Sequence, residues 1–244
     1  MNKSGMKSIF PVKRNRPLAL LMMLIAAGPA QAARPMITDD ARTVDAYACQ
    51  VESWVKTNRG SREYWALPAC NFTGNLELTL GGARTRDATG SETSDAILQG
   101  KTLLKPLETN GYGVALAAGY AGHPAAHSGR PLGGPYMYMP VSLSLADDRV
   151  VLHTNVGAKH VREQHGNRAT WGLGSETMIN SRVYLIAETF GESRENASYQ
   201  LGIRYWIVPN HVQVDTTYGN QYGNKPDARW FSIGLRLLSV PFLK

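Results

Sequence analysis

The longest apolar run in the 244-residue chain, Leu18 to Ala27, is ten residues, half of the roughly 20 that a membrane-crossing helix needs. A helical membrane protein is therefore excluded. Cysteine is scarce: Cys49 and Cys70 are the two present, too few for a disulfide-built scaffold and enough for one bond. No glycine-rich phosphate loop and no spaced set of histidines and cysteines occurs, so no cofactor and no metal site is expected. Charge of one sign is also lacking. The chain is formally +7, but five bases (Lys3, Lys7, Lys13, Arg14 and Arg16) lie in residues 1–32, which carry no acid. The remainder has 21 bases against 19 acids, or +2. Nucleic-acid binding, which calls for a basic face on the folded domain, finds no support.

The bases that remain in the first 32 residues have a different use. They precede the apolar run, Gly28 and Pro29 break it, and Ala30-Gln-Ala32 offers small residues for cleavage. This is the order of a secretory signal. The expectation is cleavage after Ala32, a short periplasmic segment over 33–47, and one folded unit over 48–244.

From Cys49 onward the apolar residues recur every second position. In 199–207, Tyr199, Leu201, Ile203, Tyr205 and Ile207 share one face, while Gln200, Gly202, Arg204 and Trp206 share the other. Leu76, Leu78 and Leu80 oppose Asn75, Glu77 and Thr79 in the same way, and Leu152, Val156 and Ala158 oppose His153, Asn155 and Lys159. A period of two means strands, because a helix would need apolar residues three and four apart. Twelve strands are expected, over 48–56, 63–70, 75–83, 94–105, 112–121, 136–145, 150–161, 169–179, 182–190, 198–208, 211–218 and 230–238.

Short turns (71–74, 106–110, 146–149, 180–181 and 209–210) alternate with longer polar stretches (84–93, 122–135, 162–168, 191–197 and 219–229). That alternation is the pattern of a single antiparallel up-and-down transmembrane β-barrel in a bacterial outer membrane, with both termini on the periplasmic side. The competing reading is a soluble sandwich or lipocalin-like barrel, in which apolar residues would point inward. Ionisable residues repeated on one strand face argue for the membrane barrel.

Its inner wall would then carry Glu52, Glu77, Glu176, Glu188 and Asp215 with Lys56, Lys101, Lys159, Arg182, Arg204 and Arg236, joined by His153. Near-balanced signs suggest ion pairs narrowing the bore rather than a selective ring of one charge. Small residues on the same face, including Gly113, Ala115, Ala117, Gly119, Gly172 and Gly174, leave room inside. The expected protein is a narrow passive channel for small solutes. A barrel plugged by its own ion pairs and acting through its outer loops is the alternative.

Cys49 opens the first strand and Cys70 closes the second, so a hairpin turning near Arg59-Gly60 sets them face to face as a disulfide requires. Tyr112, Tyr120, Tyr136, Tyr205, Tyr218 and Phe231 near strand ends are candidates for interfacial girdles. Signals for catalysis are thin. His123, His127 and Ser128 share a loop, as a lipid-modifying enzyme would require, yet prolines and glycines crowd that loop and no catalytic residue is assigned. His160 and His165 flank a basic loop tip, with Lys159, Arg162 and Arg168, that could meet lipopolysaccharide phosphates.

One short stretch carries a family likeness. Arg34-Pro-Met-Ile-Thr-Asp-Asp40, followed by Cys49-Gln-Val-Glu52, resembles the start of proteobacterial outer-membrane proteins assigned as transporters of the phenol meta-degradation pathway. The resemblance is sharpest over about twenty residues and implies an outer-membrane barrel passing small organic or aromatic compounds. Partners it implies are outer-membrane lipid, lipopolysaccharide and the barrel assembly machinery. The ending, Val240-Pro-Phe-Leu-Lys244, departs from the aromatic last residue common among barrels.

Overall fold

The computed structural model describes residues 36–123, 132–162, 166–223 and 228–243. Among the described residues the chain forms twelve strands: β1 (Cys49–Asn58), β2 (Ser61–Asn71), β3 (Leu76–Asp87), β4 (Glu92–Lys105), β5 (Tyr112–His123), β6 (Leu132–Leu145), β7 (Val150–Val161), β8 (Gly166–Met178), β9 (Val183–Glu192), β10 (Ser198–Val208), β11 (Val212–Gln221) and β12 (Trp230–Leu238). Each pairs antiparallel with its neighbour in sequence, and β1 closes on β12 from Gln50↔Leu238 to Asn58↔Trp230. Closure leaves no strand edge to be satisfied by water or by another chain.

The two faces separate cleanly. Along β12, Trp230, Ser232, Gly234, Arg236 and Leu238 are buried, whereas Phe231, Ile233, Leu235 and Leu237 are exposed. Leu80, Leu98, Val156, Leu173, Leu201 and Ile203 are likewise more than half exposed, and they belong to a belt of outward aliphatic side chains. Soluble monomers rarely expose contiguous apolar patches beyond a few hundred Å². An apolar outside around a charged inside is the inverse of a soluble barrel and matches one immersed in hydrocarbon. Among the described residues, no helix is long and apolar enough to cross a membrane.

Strand number and order agree with the periodicity, but the outer loops are shorter than their composition suggests. The polar stretch 84–93 is mostly strand: β3 continues through Asp87, β4 begins at Glu92, and Arg84 pairs with Ser94 in the ladder. Similarly, β5 reaches His123 and β6 begins at Leu132. The first hairpin turns on Arg59 and Gly60 alone. Beyond the hydrocarbon a strand no longer needs an apolar face, so backbone pairing continues through residues that read as loop.

The Cys49–Cys70 disulfide is present, its cysteines directly opposed in the β1–β2 register. Below it the tail after β12 folds back on the start of the barrel. The Ser239 N–H donates to the Cys49 carbonyl at 2.9 Å, and the Phe242 N–H donates to the Tyr47 carbonyl at 2.9 Å. Of the girdle candidates, Tyr112, Tyr205, Tyr218 and Phe231 are exposed. Tyr136 instead points inward, where its ring lies over Gly119; a Cβ on that glycine would come within 2.7 Å of the ring. Residues 1–35, including the expected leader, lie outside the described residues.

Candidate functional site

The bore is the site, and the chain itself occupies it. Residues 33–47 were expected in the periplasm, but Met36 to Val44 run inside the barrel, while Asp45 and Ala46 at its foot are exposed. The segment rises from Ala48 at the foot of β1 and reaches the middle of the bore at Met36. Met36, Thr38, Asp40, Ala41, Val44 and Ala48 are all buried.

An extended segment outside any ladder must find partners for its backbone groups, and the inner wall supplies them. Glu188 accepts the N–H groups of Ile37 (2.8 Å) and Thr38 (2.7 Å). The Asn155 amide brackets Asp39, accepting its N–H at 2.7 Å and donating to its carbonyl at 2.8 Å. Ser142 accepts the N–H of Ala41 at 2.8 Å. Glu77 accepts that of Val44 at 2.7 Å, while Asn71 donates to the Val44 carbonyl at 2.9 Å. Seven contacts of this kind turn five different strands into one cradle.

Charge adds a latch. Lys101 on β4 donates to Asp39 at 2.9 Å and to Asp40 at 3.3 Å, and the Tyr138 hydroxyl donates to Asp39 at 2.7 Å. At the foot, Val44 and Ala48 pack against the inward Tyr184, Trp206 and Leu238, with Met178 beside them. Room for the segment comes from two inward glycines of β8. A Cβ at Gly172 would lie 2.6 Å from Thr38 Oγ1, and one at Gly174 would lie 2.7 Å from Met36 Cε.

The wall itself is cross-linked beside the segment. Arg204 donates to Asp215 (3.0 Å) and to Glu176 (2.5 Å), and His153 approaches Glu176 at 3.7 Å while its other ring nitrogen meets Ser142 at 2.8 Å. Arg236 donates to Gln50 at 2.8 Å and pairs with Glu52 at 3.7 Å. Around Asp39, Lys101 and Arg236 the remaining space is about 30 Å³, room for little more than one water molecule. Above Ile37 and Thr38 the bore widens into a cavity of about 400 Å³.

Of the charged residues expected inside, Glu52, Glu77, Lys101, His153, Glu176, Glu188, Arg204, Asp215 and Arg236 are buried in the lower and middle bore. Lys56 and Lys159 are higher and partly exposed, paired with Glu63 and Glu192 respectively. Arg182 is a correction: it is exposed in the turn before β9, and its carbonyl accepts the Trp206 N–H at 2.9 Å. It has the inward parity of Tyr184 and Ile186, but the chain has already left the ladder. The sequence reading also missed Asn71 and Ser142, which bond the segment directly, Gln99, which bonds the Tyr138 hydroxyl, and Gln50, which links Glu77 to Arg236 in the wall. The inward glycines of β8 were the available signal, and the space they leave is filled by Thr38 and Met36.

Among the described residues no group of histidine, cysteine and acid side chains could hold a metal ion. His127, Ser128 and His165 lie outside the described residues, as does the side chain of His123. His160 is half-buried, with Nδ1 2.8 Å from the Asn167 side chain.

Solved structures share this architecture at very low identity. A porin described as KdgM in complex with disordered oligogalacturonate superposes with a TM-score of 0.60 at 7% identity, covering 77% of this chain and 98% of that one. The NanC porin gives 0.53 at 10% identity, covering 80% and 100%. Outer membrane phospholipase A from Escherichia coli gives 0.50 at 10% identity, covering 82% and 100%. At such identities porins and an enzyme alike establish the barrel fold and nothing about activity. No curated protein matches the sequence. The family described as uncharacterised conserved protein UCP029691 matches residues 20–238, and the chain belongs to that family.

Proposed function

We propose that this protein is a bacterial outer-membrane barrel providing a passage for small organic solutes, held shut by its own N-terminal segment. Cleavage after Ala32 would deliver it to the membrane with that segment already next to β1. The observation that carries the reading is the cradle around residues 37–44: side chains of the wall bond the segment's backbone one group at a time, and Lys101 holds its two acids. Such an occupant is seated by many moderate contacts and tied covalently only at its foot, where it joins β1, the construction of a gate rather than of a wall.

With the segment withdrawn, Glu77, Lys101, Asn155 and Glu188 would line an aqueous bore together with Lys56 and Lys159. The small solutes are the class that a twelve-strand barrel can pass. The resemblance of residues 34–40 to the phenol meta-degradation transporters favours organic or aromatic members of that class, and no catalytic role is assigned. The rival reading, a permanently filled barrel acting through its outer loops, draws on the Arg204–Asp215–Glu176 cluster, which fills space without help from the segment.

Planar-bilayer recording separates the two. The intact protein is expected to be nearly silent, and deletion of residues 36–46 to give steady single-channel steps. Silence from a deletion variant that still shows heat-modifiable gel migration, and is therefore folded, would leave the filled barrel as the answer.

A further inference from the structure

The cavity above the segment has a definite chemistry. Its floor is Ile37 and Thr38, and its wall includes Tyr136, Tyr138, Gln99 and Phe190. The two tyrosine rings are stacked, with centroids 6.2 Å apart and planes within 17°. Both hydroxyls reach the Gln99 side-chain oxygen, at 3.0 Å from Tyr136 and 3.1 Å from Tyr138. The Tyr138 hydroxyl also lies 2.7 Å from Asp39. A phenol has one proton to donate, so Tyr138 serves either Asp39 or Gln99 at any moment. One residue thus belongs to the cavity and to the latch.

We propose that this cavity is a ligand site whose occupant loosens the latch through Tyr138. This inference rests on the gating reading above and names what would work the gate. The ligand class follows from the lining. Aromatic faces favour a ring, and the tyrosine hydroxyls with Gln99 and Asn155 favour groups that both donate and accept. Lys159 is paired with Glu192, and Glu195 also lines the cavity, so the described charges there sum to one negative and offer an anion nothing. An uncharged six-membered ring bearing hydroxyl groups meets all three conditions, and a volume near 400 Å³ suits one or two such rings. A ring hydroxyl that accepts the Tyr138 proton takes it from Asp39. The segment then loses one charge-assisted hydrogen bond, worth about a tenfold shift toward release.

Such a ring can be phenolic or a sugar, and catechol and glucose serve as the two probes. Binding to the detergent-solubilised full-length exported chain is measured by calorimetry up to about 10 mM, where sites of millimolar affinity saturate. Release is measured as the rate of trypsin cleavage after Arg42, mapped by mass spectrometry. At least one probe is expected to bind saturably, with affinity falling about tenfold or more in Tyr136→Ala, and to speed Arg42 cleavage about tenfold. Tyr138→Phe keeps the ring but not the proton. It is expected to speed cleavage without ligand and to abolish any further effect of ligand. If Tyr136→Ala fails to fold, Gln99→Leu takes its place.

Binding by neither probe, or binding that leaves the Arg42 rate unchanged, overturns the inference. The gating reading fails separately: deletion of 36–46 without conductance sinks it whatever the probes do, whereas conductance with no probe bound sinks the ligand site alone.

Discussion

At the scale of single residues, the latch depends on Lys101. Its ammonium is buried among Asp39, Asp40 and the nearby Glu77, and removing it leaves two carboxylates together away from water. Breaking a buried pair from one side costs about 3–5 kcal/mol. Lys101→Met should therefore release the segment in a large fraction of molecules. Trypsin cleavage at Arg42 and bursts of conductance would report it, and cleavage as slow as in the parent would contradict the role given to Lys101. Gly174 tests the same seat by shape. Leucine there would occupy the space of the Met36 side chain, and Gly174→Leu should free residues 36–38 while leaving the barrel's heat-modifiable migration unchanged.

At the scale of elements, the turn between β6 and β7 is under local stress. Ala146, Asp147 and Asp148 have φ values of 53°, 57° and 63°, a conformation that side chains rarely adopt. Partners across the neighbouring turn hold it: Thr109 donates to Asp148 at 2.6 Å, Ser144 also donates to Asp148, and Asn110 donates to Asp147 at 2.6 Å. Partial burial would raise the Asp148 pKa, but the hydrogen bonds from Ser144 and Thr109 and the charge of Arg42 outweigh it and hold the group below its ordinary value. A lowered folded-state value stabilises the fold above the ordinary carboxyl range, and the contribution disappears as pH falls through the folded value, below about pH 4. Unfolding midpoints of the parent and Asp148→Asn should differ near neutral pH and draw together as pH falls below the ordinary carboxyl range. A constant gap across that range would count against this account. The strands were legible in the sequence because lipid on one side and water on the other force a period of two. Loop lengths were not legible: once β3 and β4 leave the hydrocarbon, Arg84, Arg86 and Glu92 keep the ladder without an apolar face. The inner segment was hidden for another reason. Its partners Glu188, Asn155, Ser142 and Glu77 lie between 33 and 151 positions away, and irregular backbone has no period to betray them. Arg182 shows the limit of parity itself, which says which side a residue would take but not where a strand starts.

At the scale of the whole molecule, the inversion of inside and outside is what a substitution can probe most directly. Leu201 is 60% exposed on the lipid side, whereas its neighbour Gln200 is 2% exposed in the bore. Leu201→Arg should destabilise the folded barrel by about 2–4 kcal/mol if it lies near the bilayer midplane. A refolding titration in lipid that shows no loss would contradict the assigned faces. The seam between β1 and β12 has a further consequence, concerning the order of events during biogenesis. Residues 36–44, made before any strand, end up surrounded by a wall whose last stave is β12. Pairing of Gln50–Asn58 with Trp230–Leu238 is thus the moment of enclosure, and whatever is to be enclosed must already be in place. A segment left outside at that moment could enter afterwards only by threading end-on through a mouth, so folding decides whether each molecule begins its life shut or open.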